Sequence, residues 1–449
     1  MRTEGYHGKA GRYVVIGTTV VAKRVCDSLT GLGHDVVHLS DPAEDELRAA
    51  TSNPISAVAV LVHDDVACLR YALTVAHMLP RTRLVVSLFD RTVADQLRRV
   101  MPECVIASPA DVAAPSLAAA CLDSGLLALW STASGSRAIR QAEDGHAVTP
   151  HSLSPRMRWR SRLGRIRGQL RPHDNGSRML LVGLTGITSL LSADWLWLYC
   201  GHHRDAAGAF YEAARVVATV GPAEDPGASA AYRMFAAFSM LATIIFTGVF
   251  TAGVVHRAMN GRPFGLVGYR TPPVDGHVVV VGLGQVGLRL CIALKRLGVN
   301  VVAVERDPAA DNLRIAKLSR IPVLVAHGSD RQVLRRLRLR RATAIAAVGS
   351  DELGNIAVAV AALAVAPGVR VVLRAGESEA IAETRSLFQI AEIRDVTAIS
   401  ATYVLLALQG SEPEHLCSDG VHVYARLDGG VFADCTPHGA PACGHTSQR

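Results

Sequence analysis

Apolar residues are distributed along the 449-residue chain in two different ways. In both outer thirds they come as short runs that alternate with stretches of helical period. In the middle they come as two long unbroken runs. Residues 179–200 form the first, 22 positions with the single charge Asp194 near the far end, and residues 234–255 form the second, 22 positions with no charge. At about 1.5 Å per residue, a helix of that length reaches about 33 Å and crosses a hydrocarbon core of about 30 Å. Core helices of soluble proteins rarely stay apolar on every face for that long, so the pattern predicts two membrane spans.

Flanking charge predicts the orientation. Arg156, Arg158, Arg160, Arg162, Arg165, Arg167, Arg171 and Arg178 precede the first run, and His256, Arg257, Arg262 and Arg270 follow the second. Basic flanks stay on the cytoplasmic side, which places both chain ends there and turns 201–233 outward. Trp195, Trp197 and Tyr199 stand where an outer aromatic belt belongs. At this position the arginine cluster reads as a juxtamembrane, lipid-facing segment rather than a nucleic-acid patch. The first 17 residues hold no sustained apolar stretch, so no signal peptide is expected.

The downstream short runs carry the clearer motif. Residues 277–281 read as a strand ending in Gly282-Leu283-Gly284-Gln285-Val286-Gly287. A helical pattern over 288–297, a strand over 299–304 and Glu305 come next. This is the dinucleotide fingerprint in context. The first glycine makes the tight turn, the second lets backbone approach a pyrophosphate, and the third lets helix pack on strand. The acid about 20 residues on is placed for a ribose hydroxyl. Further strands are expected over 323–325, 342–348 and 369–373, which suits a doubly wound parallel sheet.

The upstream runs repeat this with losses. A strand over 13–16 ends in Gly17-Thr18-Thr19-Val20-Val21-Ala22, with Thr19 where a pyrophosphate would need glycine. A strand over 35–39 and Asp41 follow. Asp64 to Leu84 spans 20 residues, as does Asp351 to Val371. Asp41 to Ala57, however, spans only 16, against 37 from Glu305 to Ala342. One strand–helix unit is therefore expected to be missing from the first copy, which reads as a structural partner to a working second copy. The fold class is α/β plus membrane α: two Rossmann-like doubly wound domains flanking a two-helix transmembrane unit.

Composition agrees. The chain is 49% hydrophobic and 19% charged, with a mean hydropathy of +0.24, which excludes a disordered protein. The net charge of +8 is almost all arginine, since Lys9, Lys23, Lys295 and Lys317 are the only lysines, and no nucleic-acid partner is expected. Nine scattered cysteines show no paired spacing and no disulfide framework. Cys435, His438, Cys443 and His445 fit no zinc pattern, so no metal site is expected.

Two cytoplasmic Rossmann domains joined to a two-span membrane unit resemble the RCK (regulator of potassium conductance), or TrkA-N, potassium channel family. The division is a degenerate domain over 1–130, a basic juxtamembrane linker over 131–178, and two transmembrane helices with a pore loop over 179–258. A linker over 259–274, a nucleotide-binding domain over 275–411 and a tail over 412–449 complete it. The resemblance implies that Gly282, Leu283, Gly284, Gln285, Val286, Gly287 and Glu305 hold NAD(H) or another adenine nucleotide. It places Asp330, in the Gly328-Ser329-Asp330 turn, near the same pocket, with Asn355 early in a helix and Arg374 at a strand end. The family's second, C-terminal RCK subdomain is not expected here, because about 40 residues follow Gly410.

The loop between the spans continues the resemblance. Residues 205–218 suit a short helix leading into Thr219-Val220-Gly221-Pro222-Ala223-Glu224-Asp225, which is similar to a pore helix and a TVGYGD potassium filter. Thr219, Val220 and Gly221 match. Pro222 replaces the tyrosine, fixing φ and removing an N–H, and Ala223 replaces the second glycine at a cost on the order of 1 kcal/mol. A single pore loop implies a homotetramer among membrane lipids, with potassium as the permeant ion and eight Rossmann domains as a gating ring. Two alternatives stand beside this channel. One is a non-conducting or non-selective membrane nucleotide sensor or accessory subunit. The other is a membrane-anchored NAD-dependent oxidoreductase, which would lack a substrate domain and any Tyr-x-x-x-Lys pair. No catalytic residue is assigned.

Overall fold

A computed structural model describes residues 10–142, 145–152, 155, 159, 175–201, 205–221, 230–259, 275–376, 391–427 and 431–437. The chain divides into two compact units, residues 1–165 with 272–449, and residues 166–271.

The first Rossmann copy runs β1 (Arg12–Ile16), α1 (Val20–Gly31), β2 (Asp35–Leu39), α2 (Glu44–Ala50), β3 (Ala57–Val60), α3 (Asp65–Met78), β4 (Arg83–Ser87), α4 (Arg91–Val100), β5 (Cys104–Ala107) and α5 (Pro109–Leu122). Its five parallel strands are ordered β2-β1-β3-β4-β5. Three antiparallel strands follow, β6 (Leu126–Thr132), β7 (Gly135–Ala142) and β8 (Gly145–His151).

The unit over 166–271 contains α6 (Asn175–Gly201), α7 (Ala206–Val217) and α8 (Ala230–Met259). Within it, segments Arg178–Cys200 and Ala230–His256 are long and apolar enough to cross a membrane. Unlike core helices, they leave Leu196, Phe238, Leu241, Ile244 and Ile245 more than half exposed, an apolar surface suited to lipid or to further copies. Gly183 and Gly186 let the helices approach closely. A Cβ on Gly183 would meet the Phe246 carbonyl oxygen at 2.7 Å, and one on Gly186 would meet the Phe246 ring at 2.3 Å. Asp194 is fully buried. The Arg215 guanidinium lies 5.9 Å from the Tyr211 ring centroid, stacking within its own helix.

The second copy runs β9 (His277–Val281), α9 (Gln285–Arg296), β10 (Asn300–Glu305), α10 (Asn312–Leu318), β11 (Val323–Val325), α11 (Arg331–Arg336), β12 (Ala344–Ala347), α12 (Glu352–Val365), β13 (Arg370–Ala375), β14 (Glu392–Asp395) and α13 (Val396–Leu408). Its six parallel strands take the order β11-β10-β9-β12-β13-β14, the dinucleotide-binding arrangement. Where the second copy places α10, β11 and α11 between β10 and β12, the first passes from β2 to β3 through the seven-residue α2 alone. The shorter spacing in the sequence is thus a missing strand with its helix.

The two copies exchange their last helices. α5 and α13 are apolar all round, and such a helix must be covered on every side. Ala113, Leu117 and Ala120 of α5 pack with Val278, Val280, Ala344 and Ala346 of the second sheet. Ala401, Val404, Leu405 and Leu408 of α13 pack with Val15, Ala57, Ala59 and Val85 of the first. Polar clamps close the seam: Arg24 Nη1 lies 2.7 Å from Asp395 Oδ2, and Arg83 Nη1 donates to the Ala407 carbonyl at 3.1 Å.

Two stretches expected to be linker and tail hold strands instead. The segment 131–178 opens with the end of β6 and with β7 and β8. The segment 412–449 contains β15 (His415–Ser418), β16 (Val423–Arg426) and β17 (Phe432–Asp434), a second antiparallel three-stranded sheet. β7 buries only Ala138 and Ile139 fully, so its apolar signal is too thin to stand out among polar neighbours. Most of the arginine cluster, the segment 260–274 and the residues His438, Cys443 and His445 lie outside the described residues.

Candidate functional site

The glycine loop sits at the carboxyl end of β9, where the strand order of the second sheet reverses. Gly282 has φ +90, and a Cβ there would meet the Gly349 backbone nitrogen at 2.7 Å. Gly287 in the first turn of α9 packs on the loop itself, since a Cβ would meet the Gly282 carbonyl oxygen at 1.9 Å. Gly284 differs from both. It caps the N-terminus of α9 with φ −65 and ψ −171, no side chain caps the helix, and an added Cβ would meet nothing within 4 Å. The helix therefore presents its first amides and the positive end of its dipole to open space, the arrangement that receives a phosphate.

Glu305 closes β10 beside this loop, but its carboxylate is turned inward. Oε2 accepts from the Leu283 N–H at 2.6 Å, and Oε1 accepts from the Arg306 and Asp307 N–H groups at 2.7 and 3.0 Å. The carboxylate thus braces the loop in this conformation. Asn355, nearly fully buried, grips the neighbouring turn from both sides: its Nδ2 donates to the Gly349 carbonyl and its Oδ1 accepts from the Gly349 N–H, each at 3.0 Å.

These elements line a cavity of about 900 Å³. It takes in all six positions from Gly282 to Gly287 except the last, together with Glu305, Gly328, Ser329, Asn355 and Arg374. Gly287 lies behind the loop as packing. Asp330 does not line the cavity either, because its carboxylate caps α11 by accepting from the Gln332 N–H at 2.7 Å. Gly328 is the turn residue that matters there. A Cβ on it would meet Val281 Cγ1 at 2.2 Å, so only glycine brings the turn against β9.

Sequence reasoning missed that part of the wall comes from the first copy, where Thr19, His63, Asp64, Asp65, Ser87 and Phe89 line the cavity. A signal was available, since Asp64 caps α3 as Asp351 caps α12, and aligning the copies on that pair brings the ends of β3 and β4 to the site. The first copy's own loop is filled. Thr19 Oγ1 accepts from the Ala22 N–H at 3.1 Å and donates to the Leu61 carbonyl at 3.0 Å, and Asp41 binds the Tyr71 hydroxyl.

In the membrane unit, Asp205 caps α7 by accepting from the Gly208 N–H at 3.1 Å, as expected of a short helix over 205–218. Thr219 follows with φ +60 and Gly221 with φ +85. The Thr219 and Val220 N–H groups donate to the Val216 and Arg215 carbonyls, each at 3.0 Å. Pro222 and Ala223 lie outside the described residues. Among the described residues no cluster of metal-ligating side chains occurs.

Residues 278–396 match the TrkA-N domain family, so the second copy is a TrkA-N domain, and the resemblance read from its glycines and Glu305 holds. No curated protein is similar enough to the whole chain to count as a match. Among solved structures, the GsuK RCK domain is 13% identical with a TM-score of 0.49, over 90% of this chain and 78% of that one. The GsuK channel bound to NAD is 13% identical with a TM-score of 0.46, over 90% of this chain and 64% of that one. The TrkA-N domain of the inner membrane protein ybaL from Escherichia coli is 15% identical with a TM-score of 0.24, over 26% of this chain and 85% of that one.

Proposed function

We propose that the chain is the subunit of a cation channel, with potassium as the permeant ion, gated by an adenine nucleotide such as NAD(H) on its TrkA-N domain. One observation carries the reading: a TrkA-N glycine loop with an open Gly284 at a helix N-terminus shares a chain with two spans that bracket a capped short helix and Thr219-Val220-Gly221. Gly282 to Val286 and Glu305 hold the nucleotide, with Gly287 packed behind the loop. Glu305 then gives up its contact to the Leu283 N–H, and Asp330 acts through α11 rather than by touch. One pore loop per chain calls for a homotetramer in the plasma membrane, with both termini cytoplasmic, and the TrkA-N domain acts as a regulator without catalysis. The nucleotide shifts gating by the difference in its affinity for the open and closed arrangements.

A second reading has its own support. The amides of Thr219 and Val220 complete the last turn of α7, and Pro222 and Ala223 depart from the filter pattern, which favours a non-selective pore or a non-conducting sensor. Flux from proteoliposomes loaded with potassium or sodium decides between them. Potassium efflux exceeding sodium efflux, and changed by nucleotide, supports the selective channel. Equal fluxes support the non-selective pore, and no flux with or without nucleotide leaves the sensor.

A further inference from the structure

We propose that the first copy supplies the other half of the nucleotide site, and that its His63–Phe89 ring pair receives the second flat ring of a dinucleotide. This rests on the reading that the TrkA-N loop binds a nucleotide at all. The cavity of about 900 Å³ stands near the upper end of small-molecule sites, about 300–1,000 Å³, and so exceeds what one nucleoside and its phosphates fill. Glu305 marks the adenosine end of the crevice and Gly284 the phosphate crossing. Part of the remaining wall comes from the first copy, with His63, Asp64, Asp65 and Phe89 on it.

The chemistry of that wall selects among ligands. His63 and Phe89 stand with ring planes 19° apart and centroids at 6.2 Å, a flat aromatic face at the ends of β3 and β4. Beside them are Asp64 and Asp65, and the first-copy residues that line the cavity include no lysine or arginine. Two carboxylates repel the outer phosphate of a nucleoside triphosphate. An aromatic face flanked by carboxylates suits a flat ring, neutral or cationic, of the nicotinamide kind. The face is also held in place. The Asp65 carboxylate accepts from the Phe89 and Asp90 N–H groups at 3.0 and 2.7 Å. The Phe89 carbonyl accepts from Arg289 Nη2 at 3.0 Å, and Arg289, which is nearly buried, lies 3.4 Å from Asp111. Arg289 belongs to α9, the helix that the glycine loop opens. A ligand spanning loop and ring pair therefore touches both ends of one hydrogen-bonded connection between the copies, and its length decides whether it does so.

Calorimetric titration of the full chain in detergent with NAD+, ADP and ATP tests this. The expected result is NAD+ bound about tenfold more tightly than ADP and more tightly than ATP. His63→Ala, on an exposed side chain, and Phe89→Leu, which keeps apolar volume without the ring, should each remove most of that advantage while ADP affinity stays unchanged. Variants that weaken NAD+ and ADP equally, or weaken neither, overturn the ring-pair assignment and leave the loop reading intact, as does ATP binding more tightly than NAD+. If the unaltered chain binds none of the three, the nucleotide reading itself fails and this inference falls with it.

Discussion

The two Rossmann copies are built on one plan, and the turn after the first strand of each shows how they part. Gly17 and Gly282 both hold left-handed backbone, at φ +128 and +90, and a Cβ on either would strike backbone, at the Leu61 carbonyl oxygen (2.2 Å) and the Gly349 nitrogen (2.7 Å). The fold demands that glycine in both. At the second position, Gly284 faces open space, whereas Thr19 fills the equivalent place with a hydroxyl that bonds Leu61 and Ala22. No packing requires glycine at Gly284, so its absence of a side chain leaves room for something outside the chain. The third position separates the copies again: Ala22 carries its methyl fully buried, while Gly287 has no room for one. Within one molecule, then, the first glycine serves the turn, the third the packing, and the second the ligand.

The largest effect is expected at the third. Gly287→Val forces side-chain atoms onto the Gly282 carbonyl and should cost more than about 4 kcal/mol, enough to lose the second copy's cooperative melt. Ala22→Gly at the matching place should cost only about 1 kcal/mol in the same thermal denaturation. Next is Leu117→Ala in α5, expected to cost about 2–5 kcal/mol. Because α5 belongs to the first copy in sequence but packs on the second sheet, hydrogen exchange should quicken in β9 and β12 more than in β1 and β3. Faster exchange in β1 and β3 would contradict the exchanged packing.

That exchange marks the limit of what the sequence discloses. The fingerprint, the spans, β1 and β2 of the first sheet, β9 to β13 of the second and even the missing β11 unit follow from local periodicity and spacing, because each is set by neighbours in the chain. The exchange of α5 and α13 does not, since a helix apolar all round says that it is buried but not by which sheet. The strands of β7 and β8 are short and mixed in polarity, and beside an arginine-rich stretch they pass for linker. Glu305 was legible as a site residue, yet its inward turn onto Leu283 depends on loop geometry that spacing does not encode. Aligning the copies on Asp64 and Asp351 places His63 and Phe89 at strand ends, but their meeting the second copy's loop comes through tertiary packing.

The strand openings differ between the copies in a way pH can report. Arg12 pairs in register with Asp35, and the two form a partly exposed ion pair at 3.5 Å. The matching pair in the second copy is His277 with Asn300, both buried. Burial pushes the His277 imidazole down to about 4, and its Nε2 lies 3.0 Å from the Leu337 carbonyl, which suits the neutral ring donating there. The unfolded chain binds a proton that the folded ring refuses. Stability from this site is therefore full above about pH 6.5 and is lost as pH falls toward 4, by up to about 3 kcal/mol. His277→Gln keeps a donor for Leu337 and cannot titrate, so denaturant melts between pH 7 and 4 should lose that part of their slope. An unchanged slope would mean the ring is protonated within the fold.

The smallest effect on stability is the most telling for function. Gly284→Ala introduces no clash, and φ −65 with ψ −171 is open to alanine, so the melting free energy should move by less than about 1 kcal/mol. Nucleotide affinity should nevertheless fall at least about tenfold, because a methyl group now stands where phosphate must approach the helix amides. The reverse change in the first copy, Thr19→Gly, removes a helix cap and a bond to Leu61 at a cost of about 1 kcal/mol. It should create no second site, since Asp41 remains bound to Tyr71 and that sheet lacks the strand beyond β2. Calorimetric stoichiometry should stay at one nucleotide per chain for Thr19→Gly. A rise to two would mean that a single threonine, rather than the lost strand, silenced the first copy.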